Sequence, residues 1–205
     1  LEEDIAMTNM ALDLVGQARA LFTRAGQIGG RAHDEDQLAF LRDERDYFNL
    51  TLVELPRGDF AFSVLRNAMV ATLLKLLWER LASSNDEEVA AIASKAIKEA
   101  RYHQQHSADW VVRLGDGTDE SHARMDAALK ELWRFVPELF ASDAVDAEAR
   151  DCGLGPAWSE LREGWLAEMS AVLEEATLVP PAESAFLSTG KHGVHSEHMG
   201  YILAE

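Results

Sequence analysis

Between Ser84 and Leu114 the chain carries Val89, Ile92, Ala96, Ser107, Trp110 and Leu114 at helical spacing, and the same stripe takes in two ionisable residues, Glu99 and His103. A helix this long, with a polar pair inside its core stripe, has to pack against other helices and has to find partners there for the pair. The rest of the chain repeats the pattern. A first helix over about Glu3 to Ala25 is apolar round most of its circumference (Ile5, Met10, Leu12, Leu14, Val15, Leu21, Phe22), which predicts burial, and it stops before Gly26 and the Gly29-Gly30 pair. Asp34, Glu35 and Asp36 favour the start of a second, whose stripe of Leu38, Leu41, Phe48, Leu52 and Leu55 runs to Pro56 and Gly58. Asp59 caps a third, about Phe60 to Ala82, and Ser84 with Glu87 has capping-box spacing for the fourth.

After Gly115-Asp116-Gly117 a fifth helix from about Ser121 carries Met125, Leu129, Leu132, Trp133 and Val136, with a kink expected at Pro137. A sixth holds Trp158, Leu161, Trp165, Met169 and Val172 in register, and a last one begins near His195. No run of alternating β-branched residues competes with these, so the class is all-α. Residues 1–205 read as one domain, an antiparallel bundle of long helices with additional C-terminal helices, and amphipathic patterns cut off at both ends lead us to expect a longer full chain.

Charge narrows the function. With 36 acidic and 19 basic residues the net charge is −17, which repels nucleic acid over most of the surface. Cys152 is the single cysteine, so no internal disulfide or thiolate cluster can form, as suits the cytoplasm. The N-terminus lacks the basic and apolar regions of a signal peptide. The most apolar run, Ala68 to Trp78, contains Lys75 and is shorter than the roughly 20 residues of a membrane span.

Di-iron carboxylate bundles place one inward carboxylate on each of two helices and a Glu-x-x-His on each of the other two. Here Glu44-Arg45-Asp46-Tyr47 and Glu99-Ala100-Arg101-Tyr102 have that spacing with Tyr in place of His, and a neutral phenol is a poor iron ligand. Each Glu and Tyr is expected to share a helix edge. The middle of the third helix offers only Thr72 and Lys75 as polar residues. The architecture therefore reads as ferritin-like with a degenerate metal site, its remaining positions being Glu44, Tyr47, Glu99, Tyr102 and His103. Asn9, Asp13 and Gln17 form a polar stripe that either joins Glu44, Glu99 and His103 in a buried hydrogen-bonded network or is a solvated strip. Glu99 and His103 read as a structural hydrogen bond or a single-metal pair, with His106 one turn on; Glu44, Glu99, His103 and His106 together are the ligands of an alternative reading, a metal-binding oxidoreductase. His192, His195, Glu197 and His198 have spacing open to zinc, to a loop-to-helix cap or to an interface. The tryptophans read as packing, with Trp133-Arg134 open to a role as a partner anchor.

Several segments resemble one family: Ala11-Leu12-Asp13-Leu14-Val15-Gly16-Gln17-Ala18-Arg19, Lys98-Glu99-Ala100-Arg101-Tyr102-His103, Leu132-Trp133-Arg134-Phe135 and His195-Ser196-Glu197-His198-Met199-Gly200. They resemble the PaaC family, ferritin-like structural subunits of the ring-1,2-phenylacetyl-CoA epoxidase of phenylacetate catabolism. The resemblance implies a subunit without iron or other cofactor of its own, which stabilises a related di-iron catalytic subunit, PaaA, within a multicomponent monooxygenase; a homodimer of this chain is left open by the sequence. Ala71 and Leu74 depart from it, standing where the family pattern has Asp and His.

Overall fold

The computed structural model describes residues 2–30, 33–182 and 184–204. The long helices are α1 (Glu2–Ile28), α4 (Phe60–Leu81), α5 (Glu87–Gly115), α6 (Asp119–Leu132) and α9 (Arg162–Glu175); shorter ones are α2 (Glu35–Phe40), α3 (Thr51–Glu54), α7 (Val136–Leu139), α8 (Ala144–Asp151) and α10 (Met199–Ala204). No strand occurs among the described residues, and the one bridge joins Thr189 to Val194. The all-α, ferritin-like reading is correct.

The ends of the central helices follow from local chemistry. Asp59 starts α4 by accepting the Phe62 N–H at 2.9 Å. Asp86 starts α5 by accepting from Glu88 and Val89, so the cap sits two residues beyond Ser84, whose hydroxyl instead accepts the Asp86 N–H at 3.2 Å. A short link makes α4 and α5 antiparallel neighbours; α6 and α9 pack against both, and α1 lies along α5. Between them sits the core, with Leu65, Met69 and Leu73 of α4 meeting Val111, Met125, Leu129, Leu132, Trp165, Met169 and Leu173. Trp165 is fully buried, its Nε1–H donates to the Met69 carbonyl at 2.9 Å, and Trp133 and Phe140 lie against its ring at 5.7 and 5.5 Å. Trp133 is thus a packing residue, while Arg134 stacks on Phe186 at 4.5 Å.

α4 is longer than its apolar run suggests. It is the one helix among the described residues long and apolar enough to reach across a membrane, and 56% of that window is buried within the bundle, as a core helix requires.

Other boundaries differ from expectation, and α1 itself runs on through Gly26 to Ile28. The second helix does not run from Asp34 to Leu55: α2 closes after Phe40, a 3-10 turn covers Glu44–Asp46, and α3 begins at Thr51. The Asp43 N–H donates to the Asp46 carboxylate at 3.0 Å and Asp46 N–H returns to the Asp43 carbonyl at 2.8 Å, a local pairing that competes with helix continuation. The fifth helix tightens to 3-10 geometry at Trp133–Phe135, and Pro137 falls in the first turn of α7, where its missing N–H costs nothing. Trp158–Leu161 is 3-10 rather than α, and the last helix starts at Met199, not at His195.

The largest difference concerns α1. Of its described residues only Met10 and Gln17 are buried. Leu12 and Val15 are each 64% exposed and Ile5 is 54% exposed, because α1 is covered mainly by α5 and α2, with α4 meeting it near Met7, Met10 and Leu14.

Candidate functional site

α1 and α5 meet along a polar seam. Gln17 donates from Nε2 to Glu99 Oε2 at 2.9 Å, Asp13 Oδ2 meets His103 Nε2 at 3.0 Å, and Glu3 Oε2 takes the Trp110 Nε1–H at 2.8 Å with His106 Nε2 at 3.1 Å. At the far end Arg24 reaches Asp86 at 2.6 Å, and this guanidinium, together with the Val89 N–H, holds the Asp86 carboxyl below the usual range. Positions rise on α1 as they fall on α5, so these pairs fix an antiparallel register. His103 is buried and Glu99 half-buried, and the two polar residues can sit in a core stripe because each is completed by a partner across the seam, Asp13 and the buried Gln17.

The expected network is only partly present. Asp13 with His103 and Gln17 with Glu99 belong to it; Asn9 is exposed and is solvated strip. Glu44 is exposed on its 3-10 turn, where it borders a cavity with Arg45, Asp46, Gly193 and His195, not the seam. Glu44 and Tyr47 share no helix edge, since no helix passes through them, and the Tyr47 hydroxyl donates to the Ala39 carbonyl at 2.8 Å. Tyr102 points outward, 52% exposed, with its ring beside His106 at 5.8 Å. Glu44, Glu99, His103 and His106 therefore do not converge.

A pair of iron ions needs bridging carboxylates with imidazoles at a common point. These residues do not fit one. Glu99 and His103 are each engaged by a separate α1 partner, and α4 presents Ala71 and Leu74 toward them around a largely apolar cavity. Thr72 is turned back on the Ala68 carbonyl, Lys75 pairs with Glu168, and Glu79 pairs with Arg101 near the end of the helix. Among the described residues no group of three or more His, Cys, Asp or Glu is placed to hold a metal.

A second polar centre is built on two carboxylates that no sequence motif picks out, and it takes in His195 of the C-terminal cluster. Glu138 and Glu54 are each 1% exposed. The Glu138 carboxyl accepts from Thr51 N–H at 2.8 Å, Ser188 Oγ at 2.7 Å, Lys191 N–H at 3.2 Å and Thr51 Oγ1 at 3.3 Å. Glu54 accepts from His195 Nδ1, Ser196 N–H and Asn49 Nδ2, each at 2.7 Å. Together they tie the segment 188–196 to α3 and α7. Gly190 is required by the close approach, since a Cβ there would strike the Asn49 carbonyl and Thr51. The C-terminal histidines are thereby separated: the His195 side chain is buried against Glu54, whereas His192 is exposed and His198 half-buried beside an 87% exposed Glu197. The signal for this centre is an acidic residue inside each of two apolar runs, Leu52 to Leu55 and Val136 to Phe140.

Burial pushes the Glu54 carboxyl up, but the His195, Ser196 and Asn49 hydrogen bonds outweigh it and leave the group below its ordinary range. A depressed folded value contributes stability that is present above the ordinary glutamate range and is lost as pH falls through the lowered one. Acid unfolding should therefore be shallower in Glu54→Gln than in the parent, read as denaturation midpoint against pH from neutral to about pH 3. Parallel curves for the two proteins would contradict this.

The family described as Phenylacetic acid catabolic protein matches residues 1–205. The chain belongs to that family. Within the phenylacetic acid catabolic proteins, an Escherichia coli (strain K12) protein named as the C component of 1,2-phenylacetyl-CoA epoxidase is 46% identical over 205 residues, covering 100% of this chain and 82% of that protein. The resemblance carried by the α1, α5 and His195–Gly200 segments is thus correct at the level of the family and of this relative.

Proposed function

We propose that this chain is the non-catalytic structural subunit of a 1,2-phenylacetyl-CoA epoxidase, holding and orienting a di-iron catalytic partner of the PaaA type in cytoplasmic, aerobic phenylacetate catabolism. What carries the reading is the pairing of a ferritin-like bundle with a seam in which Glu99 and His103 are each already bonded to a side chain of α1. The relative's name supplies the complex, and the iron belongs in this reading to the partner. The exposed apolar residues of α1 support it further, since apolar side chains left uncovered on one helix are the kind of surface that protein interfaces use. Any bound substrate is activated on the partner, and this chain's residues act by positioning.

Co-expression with a catalytic ferritin-like subunit tests the proposal. The two chains should co-purify through gel filtration as one species, and epoxidation of phenylacetyl-CoA, with the reductase supplied, should require both. Separate elution together with full activity of the catalytic chain alone would refute it. Gel filtration of the chain by itself reports whether it also forms the homodimer that the sequence leaves open.

A further inference from the structure

A cavity of about 160 Å³ lies between α1, α4 and α5, beside the polar seam, with His103 on one wall. Its walls are Met7, Met10 and Leu14 from α1 and Val70, Ala71 and Leu74 from α4. His103, held at Nε2 by Asp13, closes it on the α5 side, and Asn67 contributes the other polar wall. Met10, Ala71 and His103 are buried while Ala11 and Leu14 are exposed at the rim, so the space has a covered floor and a way in.

We propose that this cavity is a binding site for a small neutral aromatic molecule, one ring in size. The volume sets the upper limit. An apolar cavity of roughly 150 Å³ stays dry and takes up benzene, whereas sites for cofactor-sized ligands run to about 300 Å³ and above. An acyl-CoA does not fit within it. The lining sets the chemistry: an ionic group would lose its hydration against methyl and thioether surface without a counter-charge. Two methionine sulfurs in one wall favour an aromatic ring over an aliphatic one, since polarisable thioethers make favourable contacts with ring edges. The site stands independently of the subunit assignment.

The test is a benzene titration of the full chain labelled with ¹³C at the methionine methyls. Met7 and Met10 should shift saturably, while Met125 and Met169, fully buried elsewhere in the core, stay still. Cyclohexane should bind several-fold more weakly. Ala71→Leu fills the floor and should weaken benzene binding by about tenfold or more. Ala11→Leu fills from the exposed rim of α1, so it reports on the site even if the buried substitution perturbs folding. Shifts that rise linearly at all four methyls overturn the site, as does saturable binding that survives Ala11→Leu in a folded protein. Equal affinity for cyclohexane overturns the aromatic preference.

Discussion

Replacing Glu138 with Ala is expected to lower the stability of the chain by about 3 to 5 kcal/mol, the range for removing one partner from a buried, hydrogen-bonded charged centre. The reason is the number of donors it leaves behind. Thr51 N–H, Ser188 Oγ and Lys191 N–H all end on this one carboxyl, which is 1% exposed. For a chain of this length the thermal midpoint should fall by about 10 °C. Segment 188–196 should become open to protease before the bundle itself unfolds, because its link to α3 and α7 is lost while the α4, α5, α6 and α9 core is untouched. Glu138→Gln should fall between parent and Ala, since an amide keeps one acceptor oxygen and turns a donor toward donors. A midpoint within a degree or two of the parent's would show that the carboxyl is not what holds the segment.

The second large effect belongs to α1. Changing Leu12 and Val15 together to Glu is expected to leave the isolated chain's stability within about 0.5 kcal/mol, since both side chains are exposed. The same pair of substitutions should weaken association with the proposed catalytic partner by about a hundredfold, because charges would have to be buried where apolar side chains now offer themselves. Surface-immobilised partner with graded concentrations of each variant measures it. Unchanged affinity, with folded variant, would place the interface on another face.

α1 also shows what the sequence can and cannot convey. Its apolar circumference predicts burial within the chain, and the structure covers only one side. Apolar character says that a surface is best kept from water; it does not say whether the cover comes from the same chain. For α4, α5, α6 and α9 the two readings coincide, because residues such as Leu65, Met125 and Trp165 meet one another in the core. At Glu44 and Tyr47 the apolar spacing from Leu38 to Leu55 suggests a continuous helix, and the reciprocal Asp43–Asp46 bonding decides otherwise. A short-range polar pairing of that sort leaves little trace in a hydrophobic period.

The seam is half legible. Periodicity places Glu99 and His103 inside a core stripe and offers Asp13 and Gln17 as companions, but it does not separate them from Asn9, which differs only by a turn. The placement of Glu54 and Glu138 in apolar runs hints at burial, but their partners are not legible locally, because what completes them arrives largely from residues 188–196, far along the chain. Long-range polar pairing of this kind is fixed by topology, and topology is the part of a helical bundle that spacing alone leaves open.

A ligand set that no longer serves iron is central to the proposed role, and the iron content of each chain separated from an active complex measures that directly. Metal analysis after expression with added iron should find less than about a tenth of an equivalent in this chain and the iron in its partner. Stoichiometric iron in this chain, retained after separation and lost on replacing Glu99 or His103, would contradict it.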